Sequence, residues 1–223
     1  MQTKCAICAR AWPFASLPET RLVERGSFCY RSRMSVSQRK AMTVDEFLDW
    51  ETRQELKYEF DGFAPAAMTG GTQEHTLIQV NLITALRVRT RGGPCGVAGS
   101  ELKVSVAGSI RYPDAYVYCT NAPRGTLVVT EPVVVFEILS PSTALIDRID
   151  KNREYRDTPS VQRYVMLEQD RQGVTVFTRT SDDWVGHLVE GDAVLSMPEI
   201  GVDLPLSEVY EGILFPDPEP DDA

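Results

Sequence analysis

The run Val133-Val134-Val135-Phe136-Glu137-Ile138-Leu139 constrains this chain more than any other stretch, because it is apolar enough to be a strand buried on both faces and yet carries one carboxylate. An unpaired charge in such a place is prohibitively costly, so Glu137 needs a partner. Twenty-three residues upstream lies Tyr112-Pro113-Asp114-Ala115-Tyr116-Val117-Tyr118, a second strand-like segment with an acid at its start. Strand alternation lets Asp114 share a face with Tyr116 and Tyr118, and Glu137 with Val135 and Leu139. Two acids side by side on neighbouring strands make a divalent-metal site. The blander alternatives stay open at this level: Asp114 as a turn or strand-start acid after proline, Glu137 as a buried acid hydrogen-bonded to backbone.

With 223 residues, 43% of them hydrophobic, the chain can bury one good core, and a single α/β or α+β domain with tails is the simplest organisation. No apolar stretch approaches the roughly 20 residues needed to span a bilayer, and the longest, 127–139, is broken by Glu131-Pro132, so no membrane partner is expected. The net charge of −9 is unevenly spread. Residues 1–41 carry eight Lys/Arg against Glu19 and Glu24, while the remainder is strongly acidic. An acidic body argues against tight non-specific nucleic-acid binding, although acids gathered at a metal site can coexist with a local basic rim.

Hydrophobic periodicity begins only after Met42, so 1–41 reads as an appendage, disordered or the product of a start codon placed upstream of Met34 or Met42. Arg10 interrupts the apolar stretch Ala6 to Phe14, which argues against a signal peptide. Cys5 and Cys8 form a CxxC with no second pair to complete four zinc ligands. Five cysteines without framework spacing read as reduced thiols in a cytoplasm. The domain is expected over 42–212, followed by an acidic, proline-rich disordered tail, 213–223.

Within the domain, Thr43 and Glu46 form a capping box that opens a short helix. Lys57 to Phe63, followed by Ala64 to Met68, reads as a hairpin or bent strand with an Asp61-Gly62 turn. Gly70-Gly71-Thr72 releases a helix over 73–90 with Ile78, Leu82 and Leu86 on one face, and His75 falls on that face. Strands are expected at 95–98, 102–106, 112–119, 133–139, 161–167, 174–177 and 184–189, with a helix capped by Ser140-Pro141-Ser142-Thr143 and running to about 157. No phosphate-cradling glycine loop and no Gly-x-Ser-x-Gly elbow occurs, so neither a nucleotide cofactor nor serine hydrolysis is expected.

The series Tyr58-Glu59-x-Asp61-Gly62, His75 at a helix start, Pro113-Asp114, Glu137-Ile138-Leu139-Ser140-Pro141-Ser142-Thr143, then Asp147, Lys151 and Tyr155 resembles the Uma-type putative restriction endonucleases of the PD-(D/E)xK nuclease superfamily. The resemblance covers residues 43–190. It implies a restriction endonuclease-like α/β fold, a central mixed β-sheet flanked by helices, and a Mg²⁺- or Mn²⁺-dependent endonuclease that hydrolyses DNA, acting as a homodimer because one site cuts one strand.

In that reading Asp114 and Glu137 hold the metal, and Glu59 matches the acid the superfamily often adds to the metal shell. The superfamily normally places a lysine two residues after the glutamate, where this chain has Leu139. The resemblance implies that Lys151, on the following helix, supplies the basic group, with Lys103 as a second candidate. Asp147, Lys151 and Tyr155, spaced by four, share a helix face, which an ordinary surface ion pair would also explain. His75 either reaches the scissile phosphate or hydrogen-bonds within the core. Arg87 to Arg91 and Arg148 to Arg156 read equally as solvated faces or phosphate contacts. Two further functions remain open: a nuclease-fold binding or regulatory module with weak or no catalysis, and a nuclease acting on RNA.

Overall fold

The structure is a computed structural model that describes residues 41–140 and 144–215. The expectations for the N-terminal appendage with its CxxC, for the Pro141-Ser142-Thr143 cap and for the acidic tail from 216 onward lie outside those residues.

Helix α1 (Val44–Glu51) begins at the capping box: Thr43 Oγ1 accepts from the Glu46 N–H at 3.1 Å and the Glu46 carboxylate accepts from the Thr43 N–H at 2.9 Å. Strands β1 (Tyr58–Phe60) and β2 (Pro65–Ala67) follow, and Asp61 Oδ1 accepts from the N–H groups of Phe63 and Ala64 in the turn between them. Helix α2 (Gln73–Thr90) starts where Thr72 Oγ1 caps the His75 N–H. Next come β3 (Gly96–Gly99), β4 (Lys103–Val106) and β5 (Ser109–Arg111). Ala107 and Gly108, both at positive φ, join the last two in the tight turn that suits strand twist. Strands β6 (Ala115–Tyr118), β7 (Val128–Val129) and β8 (Pro132–Ile138) lead to α3 (Ala144–Ile146), a π-helical turn Asp147–Lys151 and α4 (Asn152–Asp157). The remainder is β9 (Arg163–Leu167), β10 (Gly173–Arg179), β11 (Trp184–Glu190), β12 (Val194–Met197), β13 (Val202–Pro205) and α5 (Leu206–Val209).

The central six-stranded sheet has the order β11-β10-β9-β8-β6-β3 and is mixed, since β8 and β9 run parallel and the other pairs antiparallel. A five-stranded sheet, β2-β1-β5-β4-β7, and the β12-β13 hairpin complete the fold. The α/β expectation of a central mixed sheet therefore holds. On one face of that sheet, Ile78, Leu82 and Leu86 of α2 pack on Ala115, Val117, Val134, Phe136, Ile138, Val165 and Leu167. Full burial of each such aliphatic side chain is worth about 1.5–3 kcal/mol. The other face is richer in tyrosine: Tyr116, Tyr164, Val135 and Met166 pack against Tyr155 of α4 and against Val104, Val106 and Val129 of the five-stranded sheet. Glu137 lies on this second face by strand alternation.

Three readings need correction. Cys95 and Cys119 are joined in a disulfide and are not free thiols; the β3–β6 register pairs Gly96 with Tyr118, and its continuation sets the two cysteines opposite each other. Strands β5, β7, β12 and β13 and helix α5 were not expected, being two to four residues long and too short to show periodicity. The ordered body also continues past residue 212, because Ile213 and Phe215 pack on the aliphatic core. No helix among the described residues is long and apolar enough to cross a membrane.

Candidate active site

The β6–β8 register pairs Ala115 with Phe136, and continuing it by one residue sets Asp114 opposite Glu137 at the C-terminal end of β8. Asp114 Oδ2 accepts the Ile138 N–H at 2.7 Å, so the acid side chain completes a ladder that the chain leaves at Pro113. Helix α2 braces the same residue: Gln79 Nε2 donates to the Asp114 carbonyl at 2.9 Å, and His75 Nε2 lies 3.3 Å from Oδ2. Gly71 backs the imidazole so closely that a Cβ there would come within 2.9 Å of Nδ1.

Glu137 is almost wholly buried, and its Oε1 accepts from Tyr155 OH at 2.7 Å and from Lys151 Nζ at 3.0 Å. Lys151 Nζ also lies 3.1 Å from Asp147 Oδ1 and 3.3 Å from Glu59 Oε1. The Asp147 contact has ion-pair distance but not hydrogen-bond alignment, and Asp147 Oδ1 is a buried oxygen with no hydrogen bond among the described residues. Glu59 is held on both oxygens, by the Tyr112 N–H at 3.2 Å and by Arg111 at 3.1 Å. Arg111 in turn grips Glu154 of α4 through two 2.7 Å bonds. The helix face of Asp147, Lys151 and Tyr155 is thus buried, not the solvated ion-pair surface the spacing also allowed.

Burial pushes the Glu137 carboxyl well above the usual carboxylate range; Lys151 pulls it back, while the neighbouring charges of Asp147, Asp114 and Glu59 push it further up. Glu59 ends below its usual range, because Lys151 and Arg111 outweigh its desolvation. Lys151 would lose its proton more readily from burial alone, but Glu137, Glu59 and Asp147 raise it far above the ordinary lysine value. Desolvation likewise opposes charge on His75, yet the hydrogen bond and charge of Asp114 raise it.

Five residues expected at the site, Glu59, His75, Asp114, Glu137 and Lys151, are linked here in one network, whereas Lys103 is turned away and pairs with Glu51. Among the described residues every side-chain contact on Asp114 falls on Oδ2 and every one on Glu137 on Oε1, which leaves the other oxygen of each acid as a candidate for a cation. Among the described residues no three His, Cys, Asp or Glu side chains converge as metal ligands. That donor set suits Mg²⁺, which is commonly held by one or two carboxylates with water and substrate oxygens filling the rest of its shell. Arg111 and Glu154, 43 residues apart in sequence, gave no local signal of their part in the network.

The model of the Uma2 family, described as putative restriction endonuclease, matches residues 44–207, a span that contains all five residues. The chain belongs to the Uma2 family. An uncharacterized protein of Synechocystis sp., slr1290, is 32% identical to this Uma2 chain over 178 residues, 78% of this chain and 94% of its own length. A second uncharacterized Synechocystis protein, sll1609, is 29% identical over 142 residues, 61% of this chain and 80% of its own. Among solved structures, a putative nuclease belonging to DUF820 from Anabaena variabilis superposes with a TM-score of 0.63 at 18% identity, covering 78% of this chain and 99% of that one. The Uma2 chain thus has a restriction endonuclease-like fold.

Proposed function

We propose that this protein is a divalent-metal-dependent endonuclease that hydrolyses DNA phosphodiester bonds, with Asp114 and Glu137 holding Mg²⁺ or Mn²⁺. The observation that carries the reading is the register of β6 and β8, which sets these two acids opposite each other with a buried lysine at Glu137. Bound there, the ion would supply the usual chemistry of such sites, activating a water and offsetting charge on the scissile phosphate. Tyr155 and the helix hold Glu137 in one orientation, and the Ile138 N–H with His75 does the same for Asp114. Lys151 stays protonated at neutral pH, so it serves as a fixed positive charge for the phosphate and not as a proton acceptor. The Uma2 family description supports a nucleic-acid substrate, and a homodimer would bring two sites to two strands.

One observation favours the second reading, a module that binds without cutting: Leu139, at the position where the superfamily carries its lysine, is packed into the tyrosine-rich core. Purified protein incubated with supercoiled plasmid and with RNA, each with Mg²⁺, Mn²⁺ or chelator, separates the readings. Metal-dependent nicking of DNA is expected. Cleavage of RNA alone would replace the substrate, and no cleavage of either would leave the binding module.

A further inference from the structure

An ammonium has three N–H donors, and Lys151 Nζ has three carboxylate oxygens within 3.3 Å, one each from Glu59, Glu137 and Asp147. The ammonium is thereby enclosed by acids, hydrogen-bonded to Glu137 and at ion-pair distance from the other two. The three acids are not equivalent. Glu59 is locked by the Tyr112 N–H and by Arg111, itself fixed by Glu154, so both Glu59 oxygens are already engaged. Asp147 sits four residues before Lys151 in the same π turn. Glu137 belongs to another element, the strand, and among the described residues its second oxygen has no hydrogen bond.

We infer that Lys151 is the resident counter-ion of Glu137, occupying the place beside that acid that a divalent ion must take over, and that Glu59 and Asp147 form a cradle that retains the ammonium in the cleft instead of ligating metal. The inference rests on the metal reading above and adds a competition to it. The charges favour it: four acids, Glu59, Asp114, Glu137 and Asp147, face one lysine, the His75 imidazole at Asp114 and an Arg111 already paired with Glu154, so the cluster is short of positive charge. A divalent ion arriving at Asp114 and Glu137 repels the ammonium from Glu137. With Glu59 and Asp147 still against it, Lys151 need move only slightly, and its freed proton then faces the cleft where a phosphate would lie.

The test is a calorimetric Mn²⁺ titration of the full chain, with circular dichroism on each variant to establish folding. Lys151→Gln is expected to bind Mn²⁺ about tenfold more tightly than wild type, because the competing charge is gone. Lys151→Arg keeps the charge and is expected to bind like wild type. Glu59→Gln and Asp147→Asn should weaken binding by no more than about tenfold, as groups that act through a neighbour do, whereas Asp114→Asn should abolish it. Mn²⁺ should also raise the melting temperature of Lys151→Gln by more than it raises that of wild type. Unchanged or weaker binding by Lys151→Gln overturns the inference alone. Loss of binding in Glu59→Gln or Asp147→Asn equal to that in Asp114→Asn overturns the cradle and makes those acids ligands. If neither wild type nor Lys151→Gln binds the ion, the metal reading itself falls.

Discussion

The molecule contains two buried clusters made of the same three groups, a glutamate, a lysine and a tyrosine hydroxyl. In one, Glu51 at the end of α1 pairs with Lys103 of β4 and accepts from Tyr112 OH at 2.5 Å. In the other, Glu137 of β8 pairs with Lys151 and accepts from Tyr155 OH at 2.7 Å. They even touch one another's network, because the Tyr112 N–H donates to Glu59 while its hydroxyl serves Glu51. The first cluster has one acid for one lysine and clasps α1 to the five-stranded sheet. The second has three acids around its lysine and a fourth, Asp114, beside Glu137, an excess that burial makes costly and that a stability argument does not explain. What separates the proposed site from the structural clasp is therefore the charge balance around a Glu-Lys-Tyr set and not the set itself.

The two clusters should differ most in the response to losing their glutamates. Glu137→Gln should keep the fold, since amide and carboxylate are nearly isosteric, and should lower Mg²⁺-dependent plasmid nicking by about 10³-fold or more. Glu51→Gln should do the reverse: roughly 3 kcal/mol lost in urea denaturation, as when one partner of a buried pair is removed, with nicking at 25 °C retained. A folded Glu51→Gln protein without activity would show that the two clusters are not functionally separate. The lysines sharpen the contrast, with Lys151→Met expected to reduce nicking about a hundredfold, as loss of a transition-state donor does, and Lys103→Met to leave it in place.

The smallest effect concerns pH. His75 is raised in the folded protein, so its pairing with Asp114 stabilises fully below the unfolded histidine value of about 6.5 and is lost as pH rises through the folded value. In metal-free protein, the stability difference between wild type and His75→Gln should therefore shrink as pH rises above about 6.5. A difference that grows with pH would mean that His75 is neutral in the fold.

Much of this was legible where local pattern and tertiary role coincide. The apolar run around Glu137, the 73–90 helix released by Gly-Gly-Thr and the Thr43-Glu46 box each carry their own physical signature, and each formed where it was read. The cysteine pairing was not legible, because it depends on the register of β3 against β6 and not on spacing along the chain. Arg111 was equally hidden: a single arginine in a three-residue strand becomes a buried double ion pair only when α4 folds over it. Lys103 and Lys151 look alike in sequence, and only the sheet that carries Lys103 decides that it meets Glu51.

The bond from the Ile138 N–H to Asp114 Oδ2 replaces the strand carbonyl that would ordinarily occupy that amide. A single backbone proton is thereby wired to the state of an acid. Anything that draws charge from Asp114, whether a proton, a cation on its other oxygen or a rotation toward His75, lengthens that bond and shifts the Ile138 amide resonance. The signal of this one residue would report occupancy of the site by nuclear magnetic resonance without any label on the metal, the substrate or the acid itself.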